Sequence, residues 1–189
     1  MKSLVASVLL AASLAAQAAP IFSDNFDANP LGLNATPSGW SVVEGTVDII
    51  GTGFFDFLPG NGRYIDLDGS SANGGTMQIA LMLTAGVNYL AQFDLAGSHR
   101  GDVNGVNVMF GSTGAAYTLG SAEGFSARML SFTPVISGSY LLSFANSGGD
   151  NLGALLDRVQ VSAVPEPGTL ALVLGALGLM AHRARRSAR

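Results

Sequence analysis

Tyr89-Leu90-Ala91-Gln92-Phe93-Asp94-Leu95-Ala96 is the stretch that decides the fold. Tyr89, Ala91, Phe93 and Leu95 share one parity while Gln92 and Asp94 take the other, the period-two pattern of a strand with one face on a core. The pattern returns at Tyr140, Leu142 and Phe144. On either side, short alternating or apolar runs recur every ten to fifteen residues, separated by clusters of Gly, Asn, Asp and Ser. That spacing belongs to a sandwich or barrel and not to βαβ units. It predicts strands over residues 21–26, 40–44, 47–51, 63–68, 76–83, 87–96, 106–110, 116–119, 127–132, 139–147 and 155–164. Helical periodicity is missing between residues 20 and 163. The breaks at Glu44-Gly45, Pro59-Gly60-Asn61-Gly62, Asn73-Gly74-Gly75 and Ser147-Gly148-Gly149-Asp150 are rich in residues that tolerate positive φ. The expectation is an all-β domain of two antiparallel sheets packed as a β-sandwich.

Two terminal segments read differently. Lys2, the apolar run Leu4 to Ala16 and the small-residue site Ala16-Gln17-Ala18 have the order of a secretory signal peptide over residues 1–19, with cleavage expected after Ala18 or Ala19. At the other side, Val164-Pro165-Glu166-Pro167-Gly168-Thr169 precedes an uncharged apolar run from Leu170 to Ala181 and then Arg183, Arg185, Arg186 and Arg189. The prolines end the preceding strand and pre-set a helix start. An apolar helix followed by arginines has the polarity of a membrane segment with a cytoplasmic basic end. Its twelve residues rise only about 18 Å at ~1.5 Å each, against a hydrocarbon core of about 30 Å. Snorkelling arginines and residues 167–169 would make up part of the difference.

Pro165, Glu166 and Pro167, the short apolar run and the Arg-rich end together resemble the PEP-CTERM sorting signals of Gram-negative bacteria. The resemblance implies export through the Sec translocon and transient retention in the inner membrane by a C-terminal transmembrane helix. An exosortase would then cut near the motif and release the chain to the cell surface or extracellular matrix, in systems that accompany exopolysaccharide production and biofilm formation. On this reading residues 1–19 are a signal peptide, 20–163 the β-sandwich domain and 164–189 the sorting signal.

Residues 20–163 carry twelve acids and four arginines, a formal charge of −8, with no lysine. Such a surface argues against nucleic acid or anionic lipid as a partner of the domain and is compatible with cations and neutral sugars. The absence of cysteine excludes thiol catalysis, Cys-ligated zinc and iron–sulfur clusters, and leaves the core to be held by burial alone.

A second resemblance spans most of the domain. Phe26-Asp27, Gly39-Trp40, Val47-Asp48-Ile49-Ile50, residues 62–69, residues 89–97 and Leu155-Leu156-Asp157-Arg158-Val159-Gln160-Val161 are similar in order to galactose-binding-like jelly rolls. Non-catalytic carbohydrate-binding modules and DUF642-type domains have that fold. In such modules an acid early in the first strand and an acid opening the last hold a structural calcium. The matching positions are Asp27 and Asp157, with Asp24 nearby. Strand parity also aims Asp157 inward, where its carboxylate needs a partner. The alternative to calcium is that Asp157 caps backbone N–H groups or pairs with an arginine.

Asp66-Leu67-Asp68-Gly69 is not an EF-hand, because glycine falls at the fourth place and Met77 at the twelfth. By parity Tyr64, Asp66 and Asp68 lie opposite Ile65 and Leu67, as a polar strand face or as a sugar-contacting surface in which Tyr64 or Trp40 stacks on a pyranose. Trp40, the sole tryptophan, equally suits a core anchor. Phe54, Phe55 and Phe57 form either an exposed tip or a plug at one end of the sandwich. His99-Arg100-Gly101-Asp102 reads as a solvated loop. No G-x-S-x-G, H-E-x-x-H, P-loop or dinucleotide fingerprint is present, and no acid pair is singled out for glycosidase chemistry. The expected function is exopolysaccharide binding without catalysis; the alternatives are a self-associating structural matrix protein or, less favoured, a glycoside hydrolase or lyase.

Overall fold

The alternation at residues 89–96 becomes a strand whose Tyr89, Ala91, Phe93 and Leu95 are buried. The structure, a computed structural model, describes residues 19–165. The expected signal peptide, the expected transmembrane helix and Glu166 and Pro167 of the sorting motif lie outside the described residues; Pro165 is exposed. The strands are β1 (Pro20–Asp24), β2 (Ser41–Glu44), β3 (Asp48–Gly51), β4 (Arg63–Asp66), β5 (Thr76–Leu83), β6 (Tyr89–Ala96), β7 (Val103–Phe110), β8 (Thr113–Gly120), β9 (Ser126–Phe132), β10 (Gly138–Ser147) and β11 (Leu155–Ala163).

Two antiparallel sheets result. One is ordered β3-β4-β11-β6-β9, with β1 added beside β11; the other is β2-β5-β10-β7-β8. β4 pairs with the first residues of β11 and β1 with its later ones, so two short strands share one edge of a long one. The inward residues meet as a single core. Phe93 packs edge-on against Phe144 at 5.0 Å, Phe132 packs against Phe110 and Tyr140, and Trp40 touches Phe22, Phe26 and Phe144. Edge-to-face packing of this kind suits the aromatic quadrupole.

Trp40 is therefore a core anchor and presents no stacking platform. It is 6 % exposed, and its indole N–H donates to Asp24 Oδ2 at 2.9 Å.

The inward aim expected of Asp157 is also corrected. Leu155, Leu156 and Asp157 oppose Ala96, Leu95 and Asp94, but the next opposed pair is Gln160 with Gln92. This bulge, with Arg158 at φ 48°, resets the parity of β11. Val159 and Val161 face the core, whereas Asp157 shares the outer face with Asp94.

Candidate functional site

On the outer face of the six-stranded sheet, Ile50, Tyr64, Ala96 and Leu155 form a second apolar cluster. An exposed apolar sheet face would be costly in water, and the chain covers it with the loop between β3 and β4. Phe54, Phe57 and Leu58 of that loop, with Phe125, pack down onto the cluster. This resolves the alternatives for the Phe54-Phe55-Phe57 segment: it is a lid over a sheet face, with Phe55 left 54 % exposed.

Tyr64 fastens the lid. Its hydroxyl accepts from Leu58 N at 2.9 Å and donates to Asp56 Oδ1 at 3.1 Å. Burial, with the Asp56 carboxylate adding to it, pushes the phenol up to about 12, so it remains a donor. Gly51 and Phe54 exchange backbone hydrogen bonds at the lid's start, and Asn61 Nδ2 donates to Leu58 O at its end.

Beside the lid lies a pocket of about 330 Å³, lined by Leu33, Asp48, Ile50, Phe55, Phe57, Asp66, Ser70, Arg100 and Asn151. Arg100 organises its floor. The guanidinium donates to Asp66 Oδ2 at 2.6 Å and to Asn151 O at 2.7 Å, and its Cζ stands 4.7 Å from the Phe57 ring centroid. Asp66 is buried, and desolvation pushes its carboxyl up to about 7 against the opposing pull of Arg100. Asp48 accepts from Asn34 N, Ser70 N and Ser70 Oγ. Phe55 and Asn151 hold left-handed backbone, φ 47° and 65°. Such conformations cost energy in non-glycine residues and gather at binding sites.

Chemically the pocket combines aromatic walls with fixed oxygen acceptors. Phe55 offers a face for an apolar ring surface, and the carboxylates of Asp48 and Asp66 retain lone pairs for hydroxyl donors. Two acids against one guanidinium leave it with no net positive charge, which gives anionic ligands no attraction.

Of the four residues expected to contact sugar, Asp66 alone lines this pocket. Asp66 lies in the pocket floor. Tyr64 sits beneath the lid, fully buried, so its ring has no free face for a pyranose. Asp68 is buried elsewhere: it accepts from Asp150 N at 3.2 Å and braces the loop between β10 and β11. These two are corrections to the exposed surface expected from parity. Parity placed them rightly opposite Ile65, but it carries no information about what covers a sheet's second face.

Of the calcium candidates, Asp27 and Asp157 are brought together. They line a separate cavity of about 260 Å³ with Asn25, Gly60, Asn61, Gly62 and Arg158. Asp24 does not join them; its two oxygens serve Phe26 N and Trp40 Nε1, a correction to the trio. Asp157 Oδ1 accepts from Arg158 N at 2.7 Å, and Arg158 also reaches Asp94 at 2.5 Å. Burial pushes Asp157 up to about 6, with Arg158 opposing and Asp94 and Asp27 adding to the rise. No group of three or more His, Asp or Glu side chains converges among the described residues. A calcium ion here would draw on two carboxylates and on carbonyls of the 60–62 turn, beside a guanidinium that already compensates the acids.

Reading the sequence missed Arg100, Asp48 and Asn151 as site residues. Arg100 could have been found by asking which of four arginines must answer a buried acid. For Asn151 no local signal exists.

Comparisons with known proteins agree with this architecture. Residues 163–189 match the PEP-CTERM protein-sorting motif, so the chain carries that signal. No curated protein matches it in sequence. Among solved structures it is similar to the CBM22-1 xylan-binding domain of Paenibacillus barcinonensis Xyn10C, at TM-score 0.55 and 13 % identity over 80 % of this chain and 98 % of that one. The tandem CBM22-1-CBM22-2 domain of the same protein matches at TM-score 0.51 and 16 % identity, over 82 % of this chain and 48 % of that one. The K1 cleaved adhesin domain of Lys-gingipain from Porphyromonas gingivalis matches at TM-score 0.52 and 13 % identity, over 75 % and 97 %. The domain has the jelly-roll fold of the CBM22 modules, and the sorting motif marks the chain for export with a membrane-anchored signal.

Proposed function

We propose that the chain is an exported, non-catalytic glycan-binding module, released by exosortase cleavage to the surface or matrix of a Gram-negative cell, with neutral exopolysaccharide as its ligand. The observation that carries this reading is the pocket between the lid and Arg100, which a half-exposed Phe55 lines together with two buried acids, Asp48 and Asp66, on a module-like sandwich. A glycan screen on the purified chain tests it, with Phe55→Ala beside the parent. Loss of the Phe55 ring is expected to weaken binding about tenfold, ~1.4 kcal/mol, with little change in melting temperature because the side chain is largely solvated. Equal affinity in parent and variant would place the sugar elsewhere; no binding to any glycan would end the proposal.

Structural calcium at Asp27 and Asp157 is part of the proposal. If bound at about a hundred times its Kd, it would add ~2.7 kcal/mol. Chelator should then lower the melting point by several degrees, and an unchanged melt would leave Arg158 as the counter-charge of Asp157 among the described residues.

A structural reading also has an observation in its favour. The outer face of β5, β10, β7 and β8 bears no charged residue and exposes Met82, Leu141 and Met109, a surface on which copies of an acidic domain could stack. Concentration-dependent assembly of the purified chain, seen by sedimentation, would support it; a monomer at all concentrations would remove it.

A further inference from the structure

The two ends of the sandwich differ in charge. Residues 19–23, 84–88, 111–112, 133–137 and 162–165 meet at one end and include no charged side chain. They are tied together by Gly86 N to Pro134 O, Ala85 N to Ser137 Oγ and Val164 N to Asn88 O, and Pro20 lies opposite Ser162. The acids Asp66, Asp68, Asp102, Glu123 and Asp150 lie towards the other end. At the uncharged end the β9–β10 turn projects Val135, 91 % exposed, and Ile136, 73 % exposed, and Met82 nearby is 76 % exposed. A turn that points two branched apolar residues into water calls for a covering surface.

The chain leaves the sandwich at this same end. Only residues 165–169 separate Val164 from the apolar run that starts at Leu170, and five extended residues span at most about 17 Å. We infer that the uncharged end docks on the lipid bilayer while the sorting signal is uncleaved, with Val135 and Ile136 entering the interfacial layer. Charge permits that orientation: none of the acids that give the domain its charge of −8 lies among the residues of this end, so its approach brings no carboxylate against anionic headgroups. Tethering makes the contact intramolecular, so two side chains suffice for an insertion too weak to hold the released domain. Docking would hold the Pro165 region close to the bilayer and would be lost on cleavage.

The chain has no cysteine, which allows single labels in the full protein. Ile136→Cys and, at the opposite end, the exposed Ala122→Cys would each carry an environment-sensitive fluorophore, in full chains reconstituted into phosphatidylethanolamine and phosphatidylglycerol vesicles. Nitroxide lipids are expected to quench the label at 136 several-fold more than that at 122. Adding Val135→Asp to the Ile136→Cys chain should return the label to water while the chain still floats with the vesicles. A label at 136 that is open to aqueous iodide and untouched by nitroxide lipid overturns the inference. So does a label shielded from both, which would mean that a second copy or another protein covers the tip. Quenching unchanged by Val135→Asp would show proximity without insertion, and failure of the full chain to float would leave no bilayer at that end; either result also overturns it.

Discussion

Arg100→Ala is expected to cost about 3–5 kcal/mol above pH 7, where Asp66 is ionised and removing one partner of a buried ion pair leaves the other charge uncompensated, and less at lower pH, where Asp66 takes up a proton. Asp66 is fully buried, and Arg100 is its sole cationic neighbour among the described residues. The change also releases Asn151 O and the Phe57 face, so the pocket floor and one wall are lost together. Urea unfolding of parent and variant measures the loss, and a difference below ~1 kcal/mol would mean that Asp66 is protonated or solvated without its partner. Arg100→Lys should fall between the two, since an ammonium cannot bridge Asp66 and Asn151 O as a planar fork does.

The same carboxyl gives the domain an unusual response to pH. Asp66 is pushed up to about 7 and Asp157 to about 6, both chiefly by burial, from an ordinary value of 3.8. A raised folded-state value means that the folded chain holds protons the unfolded chain has lost. The stability these groups contribute is therefore complete below about pH 4 and is lost as pH rises through 6 and 7. The groups facing Asp66 are Arg100, which opposes the rise, and Asp48, which adds to it. The expected result is a melting temperature that declines from pH 5 to pH 8, with a smaller decline in Asp66→Asn. A melting temperature that climbs over that range would show that Arg100 outweighs desolvation.

Tyr64→Ala should have the second large effect, about 3–5 kcal/mol, the cost of truncating a large buried aromatic side chain. It takes the centre from the Ile50, Ala96 and Leu155 cluster and both hydrogen bonds from the lid. Tyr64→Phe separates these contributions. It keeps the ring and should cost about 1–3 kcal/mol, the worth of the phenol's two hydrogen bonds. If the lid's order matters for the ligand, Tyr64→Phe will weaken glycan binding more than it weakens the fold. Protease cleavage confined to residues 52–62 in Tyr64→Phe, with the sandwich intact, would show the lid opening separately. Equal protease resistance in parent and Tyr64→Ala would show that the lid is held by other contacts.

The eleven strands were legible because each carries its own signal. Alternation at 89–96 and 140–144, and the Gly-rich breaks between runs, reflect a local rule: side chains alternate across a strand, and turns need residues that tolerate positive φ. The boundaries shifted by a few residues, most at β7 and β8, where Val103 and Thr113 begin strands longer than their apolar centres. The sorting signal was legible for the same reason, since it is contiguous and is confirmed over residues 163–189.

The site was not legible in that way. One unpaired residue at Arg158 turns Asp157 from the core to the outer face, and nothing in the order of residues announces a bulge. Tyr64 is polar by type and outward by parity, yet it is buried because a loop beginning at Thr52 folds back over it. Arg100 meets Asp66 from 34 residues away. The sequence by itself therefore determined the strands, their inward faces outside the bulge of β11, and the sorting motif, all set by neighbours along the backbone. Which carboxylates are buried, which arginine answers them and which aromatic ring stays free were decided only in the tertiary structure, because desolvation and ion pairing depend on groups that the chain brings together from far apart.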